Sequence, residues 1–169
     1  FHALQTPMTA PDGTPTNAVH GFVMMLLKTV EEEKPEKLAV AFDVHAPTLR
    51  AQRYADYKGT RKPMPDELRA QDPIIRELIV RMGLPILEMA GYEADDILGT
   101  VSARCEREDR EAVIVTGDRD SFQLSGEKTT ILYTKKGISD TVRVTPEYIR
   151  EVYGLEPKQM IDVKGLMGD

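Results

Sequence analysis

Apolar residues recur every three to four positions in several parts of the chain, which is the spacing of amphipathic helices. This pattern predicts four longer helices, at about 17–33, 66–82, 94–107 and 146–153. Thr16 or Asn17 suits the N-cap of the first helix, and Thr145 followed by Pro146 suits the start of the last. Shorter helices are predicted at 121–124 and 157–166, and residues 1–17 are predicted to be a loop.

Two short, continuous apolar runs, 38–42 and 112–116, lie between these helices and predict strands that are buried on both faces. Further strands are predicted at 84–87, 130–134 and 141–144, the last two as a hairpin. Because strands and helices alternate, we predict an α/β fold with a mainly parallel central sheet flanked by helices.

The composition is that of an ordinary soluble globular domain. The chain has 169 residues, 41% hydrophobic and 30% charged, and we predict that 1–169 is a single domain. Its one cysteine excludes an internal disulfide and a Cys-rich zinc site. No glycine-rich dinucleotide or P-loop motif is present, and no apolar run is long enough for a membrane helix.

Three carboxylates stand where the third predicted helix begins. Glu93, Asp95 and Asp96 follow Gly91-Tyr92 and precede the apolar pattern of that helix. Acidic residues at a helix start are also favoured by the helix dipole alone, by about 0.3–1 kcal/mol each. The segment by itself therefore leaves a structural and a functional interpretation open.

Further carboxylates follow two of the predicted strands. Asp43 ends the first strand, and Asp118 and Asp120 follow the strand at 112–116. Sites in parallel α/β sheets form at the carboxyl ends of strands, so these residues are expected to converge with the acidic helix start. The alternative is that each Asp caps a helix or forms an Asx turn.

A cluster of bare carboxylates is tolerable only if cations bind or some groups stay protonated. Oxygen ligands without His or Cys select Mg²⁺ or Mn²⁺, and two such ions form the usual arrangement for phosphodiester cleavage. The net charge of −6 argues mildly against a nucleic-acid partner, but bound divalent ions would offset it.

Residues 45–66 form a basic insertion without a clear core pattern. Its candidate DNA-binding residues are Arg50, Arg53, Tyr57, Lys58, Arg61 and Lys62. The cations suit phosphates, and the tyrosine offers a face for base stacking. A solvated charged loop is the alternative.

Several motifs occur in the order typical of one nuclease family. They are Phe1-His2-Ala3-Leu4, Thr16-Asn17-Ala18-Val19-His20-Gly21-Phe22, Phe42-Asp43, Tyr57-Lys58-Gly59-Thr60-Arg61, Gly91-Tyr92-Glu93-Ala94-Asp95-Asp96, Thr116-Gly117-Asp118-Arg119-Asp120 and Met167-Gly168-Asp169. The chain thus resembles the flap endonuclease family, and within it the 5′-nuclease domains of bacterial DNA polymerases.

This resemblance implies a PIN-like flap-nuclease core whose insertion at 45–66 is a helical arch. It implies a structure-specific 5′ nuclease that removes DNA flaps and RNA primers in replication and repair, using two Mg²⁺ or Mn²⁺ ions. Lys58 and Arg61 match the arch residues that face the scissile phosphate. The residues that match metal-site carboxylates are Asp43, Glu93, Asp95, Asp96, Asp118, Asp120 and Asp169.

The resemblance also implies a monomer in the bacterial cytoplasm, associated with the nucleoid, that acts on branched or 5′-ended DNA and on primer junctions. Whether a polymerase domain is linked to it stays open. Compared with the family pattern, the first strand and a C-terminal helix-hairpin-helix element are missing, so we expect a fragment with weak or no activity. A PIN-type single-strand ribonuclease and a non-catalytic DNA-binding module are the alternatives.

Overall fold

The computed structural model describes residues 8–44, 46–54, 63–136 and 140–167. The helices in this part of the chain are α1 (Asn17–Glu33), α2 (Leu49–Arg53), α3 (Asp66–Arg81), α4 (Ala94–Arg107), α5 (Pro146–Tyr153) and α6 (Met160–Met167). The strands are β1 (Val40–Ala41), β2 (Ile86–Leu87), β3 (Ala112–Thr116), β4 (Thr129–Lys136) and β5 (Asp140–Val144). Two 3₁₀ helices, Arg119–Leu124 and Pro157–Gln159, complete the described elements.

The described strands form two small sheets, and most of their pairings are parallel. β1 pairs with β2 in parallel, and β3 pairs with β4 in parallel. β5 returns antiparallel to β4, as the predicted hairpin requires, and the turn between them lies outside the described residues. α4 contacts both β1 and β3. The α/β prediction is confirmed.

The predicted elements and the observed ones differ mainly at their ends. β3 and α4 have the predicted bounds, whereas β1 and β2 are only two residues long. α3 continues through Pro73 without a break. The sequence pattern missed α2, because a five-residue helix is too short to show a hydrophobic period.

The core has two parts. The β3–β5 core contains Ile114, Phe122, Ile131, Val144, Ile149 and Met160. The α1–α3 core contains Ala18, Ile75 and Ile79, with partly buried hydrophobic residues of α1, β1 and β2 packed against them. No helix within the described ranges is long and apolar enough to span a lipid bilayer.

One buried polar side chain joins α1 to α3. Gln71 is fully buried, and its Oε1 accepts hydrogen bonds from the backbone N–H groups of Ala18 (2.7 Å) and Val19 (3.2 Å). Its Nε2 donates to Asn17 Oδ1 (3.0 Å) and to the Glu67 carbonyl (2.9 Å). The first N–H groups of a helix lack partners within the helix, so Gln71 caps α1 from a distant part of the chain.

Thr16 occupies the predicted N-cap position of α1, but its side chain makes no capping hydrogen bond.

We therefore predict that Gln71→Met destabilises the chain by about 2–4 kcal/mol, because the buried backbone N–H groups of α1 lose their acceptor while the side-chain volume is kept. Urea unfolding measures the change in the free energy of unfolding. Gln52→Met at an exposed position of α2 is the control and should change it by less than about 0.5 kcal/mol. Equal stability of Gln71→Met and the parent chain would contradict this role.

Candidate functional site

The amino end of α4 is built by the turn that follows β2. Gly91 has a φ of +86°, a left-handed conformation that glycine adopts without strain. Glu93 is the N-cap residue, and its backbone N–H donates to Asp96 Oδ2 at 3.0 Å. The side chain of Glu93 is almost completely buried, whereas Asp95 is exposed. The predicted acidic segment is thus a real helix start, with Asp96 partly engaged in capping.

Asp43 follows β1 and reaches the same helix end. Its Oδ1 accepts a hydrogen bond from the backbone N–H of Ala94 at 2.6 Å. Since β1 and β2 run parallel and β2 leads into α4, both segments open at one edge of the sheet. A carboxylate on the first N–H of a helix is favoured by the helix dipole. The predicted convergence of Asp43 with the α4 segment is therefore observed, through a capping contact.

The base of the basic insertion is attached to this acidic segment. The backbone N–H of Leu49 donates to the Gly91 carbonyl at 2.9 Å. The Arg50 guanidinium makes two hydrogen bonds to Asp96, at 2.8 and 2.6 Å, and a third to Glu93 Oε2 at 3.3 Å. Such two-pronged pairing fixes the arginine geometrically. The first part of the insertion thus lies beside the carboxylates.

Asp118 and Asp120 take different positions after β3. Asp118 Oδ1 accepts from the backbone N–H of Asp120 at 2.9 Å, which caps the 3₁₀ helix that begins at Arg119. Asp118 therefore has the capping role that the sequence left open. Asp120 Oδ1 lies 2.9 Å from the Lys164 ammonium of α6. The sequence analysis did not connect Lys164 with the site.

The acidic start of α4 and the segment after β3 line the same open cleft, which has a volume of about 760 Å³. Its lining residues are Arg50, Glu93, Asp95, Asp96, Gly99, Thr100, Ala103, Arg107, Asp120, Ser121, Gln123 and Leu124. Four of the predicted carboxylates belong to this lining. Asp43 and Asp118 lie outside it and cap helix ends next to it.

The cleft continues along one face of α4, which the sequence analysis did not identify. Thr100, Ala103 and Arg107 follow Asp96 by four, seven and eleven positions. That spacing keeps them on one side of a helix. Helical periodicity measured from Asp96 would have been the signal for these residues.

Within the described ranges, no three Asp, Glu, His or Cys side chains are arranged as a ready metal-binding group. Among the described residues, Arg50 pairs with Glu93 and Asp96, and Lys164 pairs with Asp120. The donor set itself, carboxylate oxygens without nitrogen or sulfur, suits a hard divalent ion. The metal-ligand roles of the acidic residues therefore stay predictions.

The remaining predicted residues divide into two groups. Arg53 is the last residue of α2 and is exposed. The others lie outside the described residues, namely Tyr57, Lys58, Arg61, Lys62 and Asp169.

Comparison with known proteins identifies the family. The family described as "5′-3′ exonuclease, N-terminal resolvase-like domain" matches residues 1–154. DNA polymerase I of Bacillus caldotenax is 49% identical over 93% of this chain, and that of Bacillus subtilis is 46% identical over the whole chain. The chain covers 18% and 19% of those two polymerases.

A solved structure has the same fold. The bacteriophage T5 flap endonuclease, in a pseudo-enzyme–product complex with DNA and metal ions, superposes with a TM-score of 0.68. That match covers 92% of this chain and 59% of the phage protein, at 17% sequence identity. The chain therefore has a flap-nuclease fold, belongs to the 5′-3′ exonuclease family, and is similar to one part of bacterial DNA polymerase I.

Proposed function

We propose that this chain is a metal-dependent, structure-specific 5′ nuclease, which hydrolyses phosphodiester bonds at the 5′ ends and flaps of DNA and in RNA primers. The observation that carries the proposal is the cleft in which Glu93, Asp95 and Asp96 of one segment meet Asp120 of another. Family membership supports it, because the matching family is one of 5′-3′ exonuclease domains.

The carboxylates of the cleft are the proposed ligands of two Mg²⁺ or Mn²⁺ ions. Glu93, Asp95, Asp96 and Asp120 would supply oxygens from the lining, and Asp43, Asp118 and Asp169 are further candidates. Divalent ions held by these carboxylates would supply an activated water and positive charge for the phosphate. The metal ions in the phage flap endonuclease complex support this proposal.

Arg50 and Lys164 are the proposed counter-ions of the cleft when no metal ion is bound. Arg50 is 46% exposed and Lys164 is 43% exposed, so both ion pairs are screened by water. The partly exposed Lys164–Asp120 pair is worth roughly 0–1 kcal/mol, so its replacement by a divalent ion costs the chain little. The two-pronged Arg50–Asp96 pair is stronger, and an ion at Asp96 has to displace it.

The insertion at 45–66 is the proposed arch, with Lys58 and Arg61 positioning the scissile phosphate and Tyr57 and Lys62 contacting DNA. α2 is attached to the cleft through Leu49 and Arg50. Lys58 follows the last residue of α2 by five positions, and a chain of that length spans at most about 18 Å. The anchoring of α2 beside the cleft thus supports the proposal that the insertion acts on a strand bound at the carboxylates.

The context of the activity is likewise a proposal. The matched polymerases are bacterial, and each is about five times as long as the stretch that this chain matches. We propose that the domain works as a monomer in the bacterial cytoplasm, on branched or 5′-ended DNA and primer junctions, as one part of such a polymerase.

A cleavage assay tests the proposed activity. Labelled 5′-flap DNA, blunt duplex DNA and single-stranded RNA are incubated with the chain as part of the longer polymerase proposed above, with Mg²⁺ or with EDTA. Cleavage of the flap substrate that requires Mg²⁺ is the expected result. Cleavage of single-stranded RNA alone would indicate a PIN-type ribonuclease, and flap binding without cleavage would indicate a non-catalytic module.

Replacing cleft carboxylates by amides should weaken metal binding. We predict that Asp95→Asn and Asp120→Asn each reduce Mn²⁺ affinity and flap cleavage by about 10–100-fold or more, because an anionic ligand becomes neutral at constant volume. Calorimetry measures the affinity, and the cleavage assay measures the activity.

The control is Asp109→Asn, because the side chain of Asp109 is 87% exposed and lies between α4 and the amino end of β3, away from the carboxyl end that leads to Asp120. It should leave both quantities unchanged. Wild-type Mn²⁺ affinity in Asp95→Asn and Asp120→Asn would rule out the proposed site.

Removing both arch cations should slow the reaction without removing the metal. We predict that a chain with Lys58→Ala and Arg61→Ala cleaves the flap substrate about 100-fold or more slowly, through lost phosphate positioning, and keeps its Mn²⁺ affinity. A chain with Lys37→Ala and Arg81→Ala loses the same charge and should cleave at the parent rate. Equal rates for the two double variants would refute the role of Lys58 and Arg61.

A further inference from the structure

Arg119 lies between Asp118 and Asp120 in sequence, yet its side chain turns towards a tyrosine. Its Nε donates to the Tyr133 hydroxyl at 3.2 Å. Its Cζ lies 5.6 Å from the centroid of the Tyr133 ring, within the range of a cation–π contact. The guanidinium is thus held by one hydrogen bond and one aromatic ring.

Neither neighbouring aspartate neutralises this guanidinium. Asp118 Oδ1 accepts from the Asp120 backbone, and the Asp120 carboxylate pairs with Lys164. In the part of the chain that the structure describes, no carboxylate lies within ion-pair distance of Arg119. Tyr133, by accepting the hydrogen bond, raises the pKa of Arg119 above its usual value.

The tyrosine that holds Arg119 is itself fixed. Its ring packs edge-on against Phe122, with centroids 5.2 Å apart and an interplanar angle of 89°. Phe122 is 1% exposed and belongs to the β3–β5 core. Tyr133 pairs in register with Thr116, the last residue of β3. Arg119 is therefore held by a side chain that packs against the core, at the carboxyl end of β3 and next to Asp120 of the cleft.

We infer that Arg119 is a phosphate-binding residue, which holds a backbone phosphate of the nucleic-acid strand next to the nucleotide at the carboxylate cleft. The inference rests on the proposed function. It adds a contact that positions the substrate strand, from the segment after β3 rather than from the proposed arch. With Nε bonded to Tyr133, the two terminal nitrogens of the fork pair with no carboxylate among the described residues and suit two oxygens of a phosphate.

The negative charge of the cleft explains why a phosphate contact at Arg119 would help substrate binding. Four carboxylates line the cleft, so an approaching polyanion is repelled there unless cations compensate. A fixed guanidinium at the edge attracts the strand and sets its register without occupying the cleft. Arg119 is thus expected to affect substrate binding more than the rate of the chemical step.

The test is equilibrium binding of a fluorescein-labelled 5′-flap DNA, followed by anisotropy in EDTA over a series of NaCl concentrations. Arg119→Ala should raise the Kd about 5–10-fold at low salt and lower the slope of log K against log salt by about 0.7–0.9, the loss of one phosphate contact. Arg119→Lys keeps the charge but loses the fork, so it should keep the slope and raise the Kd about 2–5-fold.

Tyr133→Phe tests the support for Arg119. It keeps the ring against Phe122 but removes the acceptor, and it should raise the Kd about 2–5-fold with the slope unchanged. Arg81→Ala is the charge-matched control, because Arg81 ends α3, pairs with Glu77 and precedes the amino end of β2, which belongs to the other sheet. It should bind as the parent chain does.

The outcomes separate the two proposals. If the parent chain binds flap DNA and Arg119→Ala keeps both its Kd and its salt slope, the role of Arg119 is wrong and the proposed function stands. If the parent chain does not bind flap DNA at all, both proposals fail. An equal loss in Arg81→Ala and Arg119→Ala would mean that only net charge matters, which also overturns the assignment.

Discussion

Repulsion between carboxylates at the amino end of α4 is the constraint around which this structure is arranged. Glu93 and Asp96 share one guanidinium, from Arg50, and Asp43 is placed on a helix N–H group. Each contact supplies positive charge or a partial positive charge where acidic groups approach one another. Arg50 offsets the negative charge of Glu93 and Asp96, and this pairing attaches α2 and the start of the basic insertion to the end of α4.

The topology decides which residues share the site. β1 and β2 are parallel, so Asp43 after β1 and the turn after β2 meet at the amino end of α4. α4 contacts both β1 and β3, and the cleft joins its acidic first turn to Asp120, which follows β3. Tyr133 of β4 pairs with the last residue of β3 and supports Arg119. The cleft and its surroundings thus combine four carboxylates with two arginines, Arg50 and Arg119, that are fixed by different contacts.

The sequence predicted the features that depend on local pattern and missed those that depend on distant partners. The bounds of β3 and α4 and the Thr145 cap of α5 agree with the pattern, because period and capping chemistry act within a few residues. Gln71 and Lys164 could not be found in this way, since their partners are 53 and 44 positions away. The acidic cluster could be predicted because residues that follow parallel strands lie at the carboxyl ends of those strands. The sequence could not show that Asp118 caps a helix while Asp120 lines the cleft, because that depends on the three-dimensional structure.

The cleft carboxylates are proposed to hold divalent ions, and anomalous scattering from crystals of the chain soaked in Mn²⁺ tests this most directly. We expect one or two peaks, at about 2.0–2.2 Å from oxygens of Glu93, Asp95, Asp96 or Asp120, with Arg50 withdrawn from Asp96. Peaks elsewhere on the surface, or a cleft that still holds the Arg50 and Lys164 pairs at saturating Mn²⁺, would contradict it.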